Sequence, residues 1–261
     1  MNLRVHIGKA RQFFLASVHP RPCALNTPEP IVSFCFDDFP RTAYTEAKAI
    51  LTAFGVRATY YAAPALMNTR NDLGDHFTQS DLDELLADGH ELACHTFSHI
   101  SCRRVPLTVF ENDVQKSKEW FRELTGLHSA NFAYPFGHVT VSAKKQIGAQ
   151  MNSCRGTYDG INGPIADLNL LRANSLYGGT ESFPRIDALL RAVEKHGGWL
   201  IFYTHDIGQS PSRFGCTPAL LEKVASTAAE RGLRVLPVQS VIATATHSLK
   251  SFSPEISNYL A

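Results

Sequence analysis

Five apolar segments of this 261-residue chain each run into side chains that can do chemistry. Ile31–Phe36 ends at Asp37-Asp38. Glu91–Cys94 ends at His95, with His99 four residues on. Asn131–Tyr134 ends at Pro135-Phe136-Gly137, Met151–Cys154 at Arg155, and Trp199–Thr204 at His205-Asp206. Two adjacent carboxylates after an apolar strand cannot both turn into a core. They read as a solvated turn before the helix that starts near Pro40, or as site residues. Histidines at i and i+4 share one face of a helical turn, a spacing that zinc sites use. Two histidines and one carboxylate hold a divalent ion and leave a position for water, which becomes acidic enough to act near neutral pH. A second carboxylate can take the water's proton, and His205 can protonate a leaving group. The same ligand set serves non-haem iron oxygenases, where the second acid and His205 would have no role.

The elements that must position these residues alternate along the chain. Apolar runs at Ile31–Phe36, Ala58–Ala62, Glu91–Cys94, Asn131–Tyr134, Met151–Cys154, Trp199–Thr204 and Leu233–Leu236 predict seven buried parallel strands. Helical patterns lie between most of them: Thr42–Phe54, Ser80–Asp88, Leu107–Thr125, Val139–Ile147, Ser182–His196 and Pro218–Arg231. This order predicts an α/β fold built as a seven-stranded, TIM-barrel-like domain. Loops at the carboxyl ends of parallel strands converge on one face, which is where the five loaded ends would meet. The stretch 156–179 has no clean period and is assigned to the substrate pocket.

Composition narrows the rest. A net charge of +1 favours neither nucleic acid nor an acidic partner. The six cysteines show no CxxC pair, and Cys35, Cys94 and Cys154 fall in buried strands, which reads as free thiols in a reducing compartment. No run approaches a membrane span. Residues 1–20 hold no secretory signal, so a cytoplasmic location is expected; Val5–Val18 reads as a short packing helix. The chain divides into an N-terminal extension 1–30, a catalytic core 31–240 and a C-terminal tail 241–261, all in one domain. No motif specifies an oligomer.

Here the motifs reach a family. The chain resembles the NodB-type polysaccharide deacetylases, carbohydrate esterase family four, over roughly residues 30–240. The family's first motif, Asp-Asp-Gly-Pro after an apolar strand, appears as Asp37-Asp38-Phe39-Pro40. The second appears as His95-Thr96-Phe97-Ser98-His99, the third as Phe132-Ala133-Tyr134-Pro135-Phe136-Gly137, and the fifth as Leu200-Ile201-Phe202-Tyr203-Thr204-His205. The resemblance implies a distorted (β/α)7 barrel. It also implies Asp37 as general base, His205 as general acid, and Asp38, His95 and His99 around one divalent metal. Zinc is the default, with cobalt, nickel or manganese also able to fit. The backbone N–H of Phe136, following Pro135, would stabilise the oxyanion. The implied activity is removal of an N-acyl group, most simply acetyl, from an amino sugar. A nucleotide- or lipid-linked precursor of a surface polysaccharide such as O-antigen suits a cytoplasmic enzyme. A deformylase of a lipid-linked aminosugar and a non-catalytic carbohydrate-binding relative are the alternatives.

The chain departs from the family in three places. Phe39 replaces the glycine of the first motif and is expected as an apolar ring at the rim of the site. Ala133 stands where many members carry an arginine that orients the catalytic aspartate; Arg155 is the expected replacement and Arg172 the second choice. No clear fourth motif supplies an acidic partner for His205. Asn162 is a candidate for reading a sugar hydroxyl.

Overall fold

The structure is a computed structural model that describes residues 14–25, 29–126 and 128–251. Seven strands form one curled parallel path in the order β10-β11-β2-β3-β6-β7-β8. They are β2 (Ile31–Asp37), β3 (Thr59–Ala62), β6 (Glu91–Cys94), β7 (Asn131–Ala133), β8 (Ser153–Arg155), β10 (Asn174–Ser175) and β11 (Trp199–Thr204). A parallel bridge between Arg155 and Leu171 carries the outer edge of β8 back toward β10, so the sheet curls on itself as a distorted (β/α)7 barrel. β12 (Arg234–Val235) pairs only with Ile31 and Val32, on the edge that β3 takes over from Cys35. With β12 the sheet has eight strands, one more than the seven expected. Leu233–Leu236 contributes β12, and β10 was not foreseen, because a two-residue strand carries no alternation to read. The antiparallel strands β1 (Pro22–Ala24) and β9 (Ile165–Asp167), and the short hairpin β4 (Arg70–Asn71) and β5 (Gly74–Asp75), were not foreseen either.

Period-two alternation decides which side chains meet. Val32, Phe34, Phe36, Tyr60, Leu92, Cys94, Phe132, Cys154, Leu200 and Phe202 face outward into one apolar cluster with the helices. Ile31, Cys35, Tyr61, Ala93, Ala133, Trp199, Ile201 and Tyr203 form a second, inner cluster. The same parity points Asp37, His95, Arg155 and His205 inward at the carboxyl ends. At the opposite end it points Thr59, Glu91, Asn131 and Ser153 inward. There Glu91 is buried and accepts from Thr59 Oγ1 at 2.8 Å, Asn131 Nδ2 at 2.6 Å and the Gln239 N–H at 2.8 Å. That last bond seats the helix Val238–Ser251, whose Val238, Val241, Ile242 and Ala245 join the inner cluster and close the floor.

The helices follow the apolar pattern with corrected ends. The Leu107–Thr125 helix is observed at those bounds and stops at Gly126, whose φ of 70° gives it a left-handed cap. The helix expected from Ser80 starts one residue earlier at Gln79, capped by Thr78 in a reciprocal box with Asp81. The Thr42–Phe54 pattern is interrupted into Thr42–Thr45 and Lys48–Ala53. The expected helix Val5–Val18 lies outside the described residues except for its last few. All six cysteines are free and buried. No helix among the described residues is long and apolar enough to cross a membrane.

His90 is buried, and its Nδ1 accepts the Ala58 N–H at 3.0 Å. Burial pushes its imidazole down from 6.5 to about 4. Between those values the unfolded chain takes up a proton that the folded chain refuses, so stability falls as pH drops. The loss reaches about 3 kcal/mol at the lower end. His90→Asn keeps an acceptor near the Nδ1 position and removes the titration. Urea melts from pH 7 to 4 should show wild-type stability declining relative to the variant; parallel profiles would refute this assignment.

Candidate active site

Asp37, Asp38, His95, His99, Tyr134, Phe136 and His205 line one cleft of about 560 Å3 at the carboxyl ends of the strands. Asp37 ends β2 and is only 4% exposed. Arg155 lies beneath it, 1% exposed, and donates Nη2 to Asp37 Oδ1 in a buried ion pair. The guanidinium is held between the Tyr61 and Tyr203 rings, at 4.7 and 5.2 Å from their centroids. Burial opposes its charge most strongly, but Asp37, Cys35 and Tyr61 together outweigh burial and hold its pKa above the ordinary range. Arg155 thus occupies the place foreseen for it, fixing the Asp37 carboxylate from below.

The candidate metal ligands converge on one point. One ligand atom from each of Asp38, His95 and His99 lies within 4.8 Å of the others. Asp38 Oδ1 stands 3.4 Å from His95 Nε2 and 3.0 Å from His99 Nε2. His95 Nδ1 lies 2.8 Å from the Ala133 carbonyl, which can only accept, so Nδ1 carries the proton and Nε2 offers its lone pair to the cleft. Burial pushes the Asp38 carboxyl up, but the two imidazoles beside it outweigh burial and hold it well below the usual carboxylate range. An ionised carboxylate facing an imidazole lone pair is the arrangement a divalent cation satisfies, so these residues fit the metal.

The His95–His99 spacing does not work through a helical turn as expected. The segment is a loop with Thr96 and His99 at φ of 62° and 52°. Its conformation is pinned by Asp113, whose Oδ1 accepts the Phe97 and Ser98 N–H groups at 2.9 Å each. Asp113 sits inside the long helix Leu107–Thr125, where nothing in the sequence distinguishes it from an ordinary surface acid.

His205 donates Nδ1–H to the Phe214 carbonyl at 3.2 Å, which turns Nε2 toward the cleft. A backbone carbonyl thus orients this histidine where no fourth-motif acid was found. Asp206 accepts the Ser212 N–H at 2.7 Å and the Ser212 hydroxyl at 2.5 Å, fixing the loop that carries Phe214. Asp167, one of the acids nearest in sequence to the missing motif, pairs with Lys144 at 2.6 Å and accepts the Arg21 and Asn169 N–H groups. On the third motif, Pro135 is buried and Phe136 is 52% exposed, its ring 4.5 Å from that of His99. Gly137 has φ of 62°, and a Cβ there would come within 2.0 Å of Thr157 Oγ1, so the turn requires glycine.

Three expected substrate residues lie elsewhere. Phe39 is fully buried, stacked 4.8 Å from Phe77 and 5.0 Å from Tyr60, and is not at the rim. Asn162 is 4% exposed and staples Arg172 to the start of β11. Its Nδ2 donates to the Arg172 carbonyl, its Oδ1 accepts the Arg172 N–H, and its backbone exchanges two bonds with Trp199. Trp199 begins its strand, so this staple is at the end opposite the cleft. Arg172 donates Nη1 to the Asp159 carbonyl and does not reach Asp37. Of the 156–179 stretch, Thr157 and Tyr177 line the cleft. Sequence reasoning missed the hairpin tip Asn71, Asp72 and Leu73, which forms another wall.

Comparison with known proteins points to one family and one fold. Residues 24–152 match the polysaccharide deacetylase family model. The Bacillus subtilis protein YxkH, provisionally named a polysaccharide deacetylase, is 23% identical over 126 residues, 47% of this chain and 44% of that protein. The chain therefore aligns with less than half the length of that relative. Among solved structures, a provisionally named polysaccharide deacetylase from Mycobacterium smegmatis has a TM-score of 0.60 at 15% identity, covering 89% of this chain and 96% of that one. A mutant of the Bacillus subtilis peptidoglycan deacetylase PdaC has a TM-score of 0.55 at 12% identity, covering 86% and 96%. A family 4 acetyl xylan esterase from Clostridium thermocellum, solved with a cobalt ion, has a TM-score of 0.54 at 15% identity, covering 82% and 91%. At these identities the structures establish a shared fold.

Proposed function

Since residues 24–152 match the polysaccharide deacetylase family model, we propose that the chain is a member of that family and a divalent-metal-dependent hydrolase that removes an N-acyl group, most directly acetyl, from an amino sugar. The observation that carries this reading is the grouping in one cleft of an arginine-anchored aspartate, an Asp-His-His cation site and an oriented histidine. A divalent ion held by Asp38, His95 and His99 supplies Lewis acidity, polarising an acyl carbonyl and making water acidic. Zinc is the default ion for this ligand set, and cobalt, nickel or manganese also fit it. Asp37, fixed by Arg155, takes the proton of the attacking water. The Phe136 N–H, at the mouth of the third-motif turn, donates to the developing oxyanion. His205, held through Nδ1, gives a proton from Nε2 to the departing amine.

We further assign the substrate to the nucleotide- or lipid-linked sugars from which surface polysaccharides are built, with the enzyme in the cytoplasm. The six free, buried thiols support a reducing compartment. The rim supports a phosphate-bearing substrate. Arg104 lies 5.7 Å from the Phe136 ring centroid and Arg213 lies 4.5 Å from that of Phe214. Neither is ion-paired among the described residues. Acetate release by metal-loaded protein tests the reading, with a nucleotide-diphosphate N-acetylhexosamine beside an uncharged N-acetylated oligosaccharide. The phosphorylated donor should be preferred at least ~10-fold in kcat/KM, the worth of one charge-assisted contact. Equal rates would remove the phosphate assignment. Formate release from N-formyl donors without acetate release would favour the deformylase alternative, and no acyl release from any donor would overturn the hydrolase reading.

A further inference from the structure

Asp37 and Asp38 are neighbours, and strand parity sends neighbours to opposite faces. If β2 continued one residue further, Asp38 would face outward with Phe34 and Phe36. Both carboxylates reach the cleft because the strand stops and the chain turns through two consecutive left-handed residues, Asp38 at φ 63° and Phe39 at φ 55°. This conformation is disfavoured for residues with a Cβ, and more so for a bulky ring than for aspartate. Something outside the turn must hold it.

The holding segment is the far side of the hairpin that sequence reading missed. Pro40 and His76 form an antiparallel bridge. The Arg41 N–H donates to the Asp75 carbonyl at 2.7 Å, and the Phe77 N–H to the Phe39 carbonyl at 3.3 Å. The Phe39 ring stacks on Phe77 with an interplanar angle of 12°. The carbonyl of Asp38 itself is met by a side chain: His76, 1% exposed, places Nδ1 at 3.2 Å from it. A carbonyl only accepts, so Nδ1 carries the proton. The other ring nitrogen, Nε2, is buried and has no protein donor among the described residues. A histidine here leaves a polar atom unmatched where an apolar side chain would leave none, so His76 is explained by the one bond it makes.

We propose that His76 is a positioning residue for the metal centre, holding the Asp38 carbonyl so that the left-handed turn delivers the Asp38 carboxylate between His95 and His99. The idea rests on the metal site proposed above. Outer partners that orient ligands typically change metal affinity ~10–100-fold when removed. The test is Co2+ titration of the metal-free full-length chain against a competing chelator, with thermal melting of the same metal-free samples. His76→Ala should bind Co2+ at least ~10-fold more weakly than wild type. His76→Asn, whose amide N–H occupies nearly the Nδ1 position, should bind within ~3-fold of wild type on the same scale. A role in folding alone would lower the melting temperature of both variants without separating their affinities. Unchanged Co2+ affinity in His76→Ala, or equal loss in His76→Ala and His76→Asn, overturns the proposal. Should His76→Ala not fold, His76→Gln replaces it, because its amide reaches the Nε2 position and cannot serve the Asp38 carbonyl; equal affinity of the Gln and Asn variants then overturns it. A wild-type chain that binds no Co2+ defeats the metal site itself, a separate outcome.

Discussion

His95→Ala abolishes metal binding and acyl hydrolysis together, whereas Asp37→Asn leaves the metal in place and lowers only the rate. The two residues share one cleft and are both nearly fully buried, so a general loss of structure would affect both variants alike. Their hydrogen bonds separate them. His95 is oriented through Nδ1 by the Ala133 carbonyl and presents Nε2 toward Asp38 and His99. Its removal leaves one carboxylate and one imidazole, too few for a site of this type. Metal content should fall from about one ion per chain to less than ~0.1 in the variant after dialysis. Asp37 instead spends one oxygen on Arg155 and faces the cleft beside the ligand set. Asp37→Asn should keep near-stoichiometric metal and lose at least ~10²-fold in kcat, the usual contribution of a general base. Elemental analysis and acyl-release assays on the same samples decide the matter. Stoichiometric metal in His95→Ala would show that the ion, if any, binds elsewhere.

How much of this was legible follows from what each feature rests on. The strands carrying Asp37, His95 and His205 are apolar runs of four to seven residues that stop abruptly, and such runs declare themselves. Once the runs are placed, parity alone turns these side chains inward, so the site's outline could be read before any coordinates. Arg155 could be foreseen because the missing arginine at Ala133 leaves a buried carboxylate in need of a cation, and β8 ends beside β7. The failures have one cause in common: partners supplied by the main chain. The carbonyls of Ala133, Phe214 and Asp38 orient three histidines, and a carbonyl has no letter in the sequence. Phe39 was misjudged because its motif slot belongs to a small residue at the surface of a turn. The hairpin that gives it Phe77 to stack on consists of two-residue strands, invisible to any period. Asn162 looked like a polar side chain in a pocket loop, yet its amide is consumed by the backbone of Arg172 and Trp199.

Arg155→Ala lowers kcat by ~10²-fold or more while the metal stays bound, and Ala133→Arg in the same chain recovers part of the loss. Arg155 does not touch the cation ligands; it donates to Asp37 from within the barrel. Without it the Asp37 carboxylate is buried with no counter-charge and no fixed rotamer, so both its charge and its aim toward water suffer. Breaking a buried pair costs about 3–5 kcal/mol, a large share of the 5–15 kcal/mol that holds a typical domain, so assays belong at low temperature with the folded fraction measured. Arg155→Lys separates charge from shape. It restores a cation without the planar fork that spans Tyr61 and Tyr203, and should regain stability more than rate. The Ala133 position is the register partner of Arg155 on the neighbouring strand, and both side chains face inward. Shortening Arg155 empties the volume that an arginine at 133 would enter, giving the carboxylate a cation from one strand over. Recovery of at least ~10-fold in kcat by the double variant would show that what the site requires is a guanidinium beneath Asp37, whichever strand delivers it. Near-native turnover in Arg155→Ala alone would mean that Asp37 is oriented by something other than this ion pair.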